Sequence, residues 1–193
     1  MSETYKIGEN FLSLSEISKI ISEDIKIELS SKSEEKVIDC RNYLDEKMKK
    51  SEKPIYGINT GFGSLCNHVI SDKDLEQLQT NLVLSHSCGT GDEVPHEIVK
   101  IMLLLKIQSL CYGYSAVQLV TINRLMEMFN NNILPVIYQQ GSLGASGDLV
   151  PLAHMSLVLL GMGEVDVPNN KEGFDRKNTS DIMEQIGWES IEL

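Results

Sequence analysis

The sequence predicts an all-α, mainly helical protein, and three observations carry that expectation. Apolar residues recur every three to four positions over most of the chain. Helix-start signals precede those runs, namely Ser13 with Glu16 three residues on, and Pro95 before a long apolar stretch. Two glycine-rich stretches without any period, around residues 56–68 and 139–148, separate them as loops. Strand signals are weak.

Taken in order, YKIGE reads as a short strand. A helix then follows Ser13 through Ile17, Ile20 and Ile21, and a second runs from about Ser33 to Lys49 with Val37, Cys40, Leu44 and Met48 on one face. Pro54 ends that region. The next helix starts near Ser71, carries Leu75, Leu78, Leu82 and Ser85-His86 in one stripe, and ends at Cys88-Gly89, with Gly89 expected as its left-handed cap. Pro95 opens a strongly apolar helix that stops near Gly113, and Ser115 is expected to cap the one after it, which ends before Pro135. Both are apolar on too many faces for surface helices, so they are expected at the centre. A further buried helix follows Asp148. The stretch DVPNNKEGFDRKNTS reads as a polar linker before a short helix, DIMEQI, that ends at Gly187. The resulting division is a first domain over residues 1–165, and a linker with one short helix over 166–193.

Composition narrows the function. The chain has 193 residues and a net charge of -11, which argues against nucleic acid or an anionic membrane as partner, since both need a basic face. Residues 101–150 carry only Lys106, Arg124, Glu127 and Asp148, whereas residues 1–50 hold twenty charged side chains. The middle is therefore the part to bury. Cys40, Cys66, Cys88 and Cys111 are widely spaced, with no histidine at metal-ligand spacing, so reduced thiols and no metal are expected. The start lacks a signal-peptide pattern, and the run IMLLL is cut by Lys106. A cytoplasmic location is the expectation.

The glycine loops fail the familiar motifs. Gly144-Ala145-Ser146-Gly147-Asp148 lacks the final glycine of a nucleophile elbow. Gly61-Phe62-Gly63 meets Cys66 where a dinucleotide fingerprint needs glycine, and no phosphate-loop Gly-Lys-Ser/Thr exists. Both loops could simply be tight turns. The Ala-Ser-Gly triad offers a sharper chemistry. The Gly147 nitrogen, with no Cβ in the way, can attack the carbonyl carbon of Ala145 and close a five-membered ring. Loss of two waters, one taking the Ser146 hydroxyl, leaves an exocyclic methylidene, an electrophile that no ordinary side chain provides. Asp148 is placed to cap the next helix, and Pro151 falls in its first turn. The ring would sit at the positive end of that helix.

The stretch GSLGASGDLVPLAHMS resembles the prosthetic-group signature of the aromatic amino acid ammonia-lyase family. YGINTGFG, residues 56–63, resembles that family's mobile loop, and NLVLSHSCGTG, residues 81–91, its substrate-contacting segment. The three lie in family order, with 30 residues from Tyr56 to His86 and 60 from His86 to Ser146. The resemblance implies a carbon-nitrogen lyase whose only cofactor is methylidene-imidazolone, formed from Ala145, Ser146 and Gly147. It implies Tyr56 as the catalytic base, His86 and Ser85 as substrate-binding residues, and Gly57, Asn59 and Asp148 in supporting roles. A Ser-His pair at this position goes with histidine, so the implied reaction converts L-histidine to trans-urocanate and ammonia. A His-Leu pair would go with tyrosine, and a bulky apolar pair with phenylalanine. The remaining readings are a tyrosine or phenylalanine ammonia-lyase or aminomutase, and a non-catalytic helical assembly fragment. His154, in an apolar helix, reads as structural, and His68 and His96 read as surface residues.

Two departures stand out. Tyr138-Gln139-Gln140 replaces the Pro-x-Lys of many relatives, and the family's members are much longer. The resemblance therefore implies an N-terminal piece, with the start of a central helical bundle, from a homotetrameric enzyme. Alone, such a piece is expected to be inactive and to self-associate through its apolar helices.

Overall fold

A computed structural model describes residues 3–50, 53–61, 68–141, 149–171 and 173–191, apart from the side chains of residues 72 and 73. The Ala145-Ser146-Gly147 triad, Asp148, Phe62, Gly63 and Cys66 lie outside the described residues, as does the expected ring.

Strand β1 (Thr4–Ile7) pairs in parallel with β2 (Lys26–Leu29), in the register Thr4↔Lys26 to Ile7↔Leu29. Parallel neighbours need a crossover, and helix α1 (Leu14–Ser22) supplies it. The expected capping box starts α1: the Glu16 N–H donates to Ser13 Oγ at 3.3 Å, and the Ser13 N–H donates back to the Glu16 carboxylate at 2.8 Å. Helix α2 (Ser31–Lys50) follows and packs on α4 (His96–Cys111) and α5 (Leu119–Asn130).

The α4–α5 pair is the centre of the molecule, as their apolar sequences require. Leu103, Leu104, Ile107, Ile122, Met128 and Phe129 are all fully enclosed. Asn130, ending α5, brackets β2 by exchanging two 2.8 Å hydrogen bonds with the Ile27 backbone. The expected start at Ser115 is corrected, because Ala116 adopts a left-handed φ of +50° that a helix cannot contain. Gln118 is the cap instead.

Helix α3 (Asp72–His86) lies against α6 (Leu149–Leu157). Between them in sequence come β3 (Thr90–Glu93), β4 (Leu134–Pro135) and β5 (Tyr138–Gln140), with β5 antiparallel to β3. The expected polar linker is also corrected: it forms most of a hairpin, β6 (Glu164–Pro168) and β7 (Phe174–Asn178), in a three-stranded sheet of order β4–β6–β7. Its turn is built by Asn169, whose Oδ1 accepts from the Lys171 and Gly173 backbone N–H groups. Helix α7 (Thr179–Ile186) ends at Gly187 with φ +73°, as expected, and Ile182 and Met183 bury into the body. The chain is mainly helical, and its short strands make it less than all-α. Among the described residues, no helix is long and apolar enough to cross a membrane.

Candidate active site

A cleft of about 1190 Å³ opens where the loop at residues 55–61, α3 and α6 meet, with α2, α4 and α5 behind. Tyr56, Gly57, His86, Leu149 and Leu152 all line it. Of the residues expected at a site, the structure thus brings Tyr56, Gly57 and His86 to one cavity. Leu149 directly follows Asp148, so the cavity reaches the exit stem of the triad's loop.

Tyr56 stands on a braced turn. Asn59 is buried, and its Oδ1 accepts the Ile55 N–H at 2.6 Å while the Asn59 N–H donates to the Ile55 carbonyl at 3.1 Å. Gly57 has φ +77°, a left-handed conformation in which any side chain would be strained. Thr60 bridges to Val69, and the Ile70 N–H donates to the Asn59 carbonyl, so the base of the loop is zipped shut. Asn59 and Gly57 therefore shape the turn, while the tyrosine ring above it is 64% exposed.

His86 is half-buried in the last turn of α3. Its Nδ1 lies 2.8 Å from the Leu82 carbonyl oxygen and 3.1 Å from Ser85 Oγ. A carbonyl only accepts, so Nδ1 carries a proton, and in the tautomer with that single ring proton Nε2 is an acceptor. Ser85 Oγ also donates to the Leu82 carbonyl at 3.0 Å, so this serine helps to orient His86.

The Gly89 expectation is corrected. Ser87 caps α3, and Gly89 is absent from the left-handed region. Its glycine serves close approach instead: a Cβ there would meet His154 Nε2 at 2.9 Å, Val150 Cγ1 at 3.0 Å and Tyr138 Cβ at 3.1 Å. The Gly89 N–H donates to His154 Nε2 at 3.0 Å. Tyr138 presents its ring edge-on to the imidazole, with centroids 5.4 Å apart. Burial pushes the His154 pKa below its ordinary value and so favours the neutral acceptor. Gly141, last described before the triad's loop, packs on the same point, since a Cβ there would lie 3.1 Å from the Gly89 Cα.

A second polar group ties the strands together, well separated in sequence and so invisible to motif reading. Arg176 on β7 forms paired hydrogen bonds to both Glu93 and Asp166, and His96 Nε2 lies 2.8 Å from Asp166. Burial alone would push the Asp166 carboxyl up, but the bonds from Arg176 and His96 outweigh it and hold it below its usual range. His96 also packs against Phe174, with tilted rings whose centroids lie 4.3 Å apart, so it is a structural tie as well as a partly exposed side chain. Among the described residues, no cluster of three or more His, Cys, Asp or Glu is placed to hold a metal. The lining residues Leu149, Leu152, Ala153 and Ser156 were absent from the sequence-based site, although their i, i+3, i+4, i+7 spacing marks a single helix face.

A helical body bearing a cleft between a braced loop tyrosine and a helix-end histidine has close counterparts. The aromatic amino acid lyase family model matches residues 12–193, and the chain belongs to that family. It is 49% identical over 165 residues to histidine ammonia-lyase from Legionella pneumophila subsp. pneumophila, covering 86% of this chain and 32% of that protein. The crystal structure of histidine ammonia-lyase from Trypanosoma cruzi superposes with a TM-score of 0.84 at 29% identity, over 98% of this chain and 36% of that one. Phenylalanine aminomutase from Pantoea agglomerans gives 0.85 at 28% identity, over 100% and 36%. The chain spans about a third of the length of these relatives.

Proposed function

We propose that this chain is the N-terminal part of a histidine ammonia-lyase, which eliminates ammonia from L-histidine to give trans-urocanate. The observation that carries the reading is the convergence of Tyr56, His86 and the stem residue Leu149 on one cleft. His86 offers Nε2 as an acceptor for the imidazole N–H of the substrate. Tyr56, as a phenolate, takes a proton from the substrate β-carbon while the Cα–N bond breaks, the double bond forms and ammonia departs. Methylidene-imidazolone, which Ala145, Ser146 and Gly147 would form, would supply the electrophile that activates the substrate. The described stems of the loop support this reading. Gly141 before the loop and Val150 after it pack against the same glycine, so the two stems are held together beside the cleft.

A phenyl ring would leave the His86 acceptor unpaired, a loss of roughly 1–3 kcal/mol when buried. The substrate preference therefore favours histidine, in line with the Ser85-His86 pair. The whole enzyme would act as a homotetramer in the cytoplasm, with further site residues supplied by chain beyond this segment.

Turnover of L-histidine, L-tyrosine and L-phenylalanine by the full-length protein tests the reading. Histidine should be preferred over phenylalanine by about 5- to 150-fold in kcat/KM, the ratio that 1–3 kcal/mol gives. The peptide spanning Ala145–Gly147 should weigh two waters less than its unmodified mass, and Ser146→Ala should abolish that deficit. Faster turnover of tyrosine or phenylalanine would reassign the substrate. An unmodified peptide in an active enzyme would remove the cofactor.

A further inference from the structure

We propose that His154 is a positioning residue, whose acceptance of the Gly89 N–H holds the His86 end of α3 in register with both stems of the triad's loop. The inference rests on the ammonia-lyase reading and gives it a mechanical basis. Gly89 stands three residues after His86, just beyond the cap of α3. Val150 stands on the exit stem, one helical turn before His154, and Gly141 on the entry stem.

All of these meet at Gly89. The glycine has no room for a Cβ against His154, Val150 and Tyr138, and Gly141 packs on its Cα. The entry stem is tied beside Gly89 by the Thr90↔Gln140 pairing of β3 and β5, whereas Val150 on the exit stem meets Gly89 through apolar atoms, which resist sliding poorly. The 3.0 Å bond from the Gly89 N–H fixes the lateral position that packing leaves soft. The imidazole itself is 9% exposed and braced by the edge-on Tyr138 ring. Its Nε2 is committed to Gly89, so this histidine is unavailable as an acid or base in the cleft. Its effect on chemistry must run through position, by setting the spacing between His86 and the two stems that hold the triad's loop.

The test uses the full-length enzyme. His154→Leu removes the acceptor and should lower kcat/KM for L-histidine by about 10- to 100-fold, as expected for misplacement on the ångström scale. KM should rise along with the fall in kcat, because His86 moves relative to the stems. A loss of folded enzyme alone would lower apparent kcat and leave KM unchanged. His154→Gln, which can present an amide oxygen near the same place, should stay within about threefold of wild type.

Gly89→Ala approaches the junction from the other side with His154 intact. Its Cβ would meet Nε2 at 2.9 Å, so it should also raise KM and lower kcat. Should His154→Leu fail to fold, His154→Gln and Gly89→Ala decide the matter. A glutamine variant as damaged as the leucine variant, or a Gly89→Ala enzyme with normal constants, overturns the proposal. A wild-type protein inactive on all three amino acids would instead overturn the lyase reading beneath it, so the two failures are distinguishable.

Discussion

The helix pair α4–α5 and the cleft-wall helix α3 are built on opposite terms. On α4, Val99, Leu103, Leu104, Ile107, Gln108, Leu110 and Cys111 are buried, and α5 contributes as many again. On α3, none of the described side chains is fully buried, although Leu75, Leu82, Val83 and His86 face the cleft. The pair is a scaffold held by dense packing. The other presents chemistry at a surface and is located by a few directed contacts. A functional edge must leave space for substrate, so it gives up the burial that would fix it. The Gly89–His154 hydrogen bond takes over that task, while bonds to the Leu82 carbonyl orient Ser85 and His86 within the helix.

The sharpest way to break this contrast is to remove chemistry without touching shape. In the full-length enzyme, Tyr56→Phe deletes one hydroxyl from a largely exposed ring, so folding should be unaffected. Turnover of L-histidine should nevertheless fall by about 10²- to 10⁴-fold, with KM changed little, as for loss of a general base. Near-normal turnover would place the base elsewhere and strip the loop of its role.

Stability gives the next largest effect. Leu103→Ala opens a cavity between α4 and α5 and should cost about 3–5 kcal/mol. Leu82→Ala, on the cleft wall of half-buried α3, should cost about 1 kcal/mol, measured by denaturant unfolding of the same protein. Equal costs would show that other protein covers the open face of α3 in the whole enzyme, and the contrast would then belong to this segment alone.

The sequence made the scaffold far more legible than the edge. Local signals suffice where structure is local: the Ser13–Glu16 box, Pro95 before α4 and Gly187 after α7 all act within one helical turn. They fail where a partner far along the chain decides. β2 is a strand because β1 lies beside it, and the β6–β7 hairpin owes its place to β4 and to Arg176 reaching Glu93. The left-handed Ala116 shifts the helix start from Ser115, a cap by residue type, to Gln118. Gly89 shows the limit most clearly: a glycine after a helix predicts a cap, yet this one exists because His154 and Gly141 press against it. Tyr56 and His86 were named through family resemblance, and no spacing rule could have placed them in one cleft.

The smallest expected effect concerns pH and the same histidine. Burial lowers the folded-state pKa of His154 below its ordinary 6.5, and the ring faces the Gly89 N–H and the edge of Tyr138. On acidification the unfolded chain therefore takes up this proton first. Between the two values it binds more protons than the native state, so stability rises with pH across that window. The contribution is complete above about pH 6.5 and is lost as pH falls through the folded value. A proton on Nε2 would also turn the acceptor into a donor facing the Gly89 N–H. Unfolding of wild type and His154→Gln, compared from about pH 7.5 to 5, isolates this group because glutamine does not titrate there. The wild type's advantage should shrink as pH falls. A gap that stayed constant would mean that His154 titrates alike in both states, and a widening gap would reverse the sign of the argument.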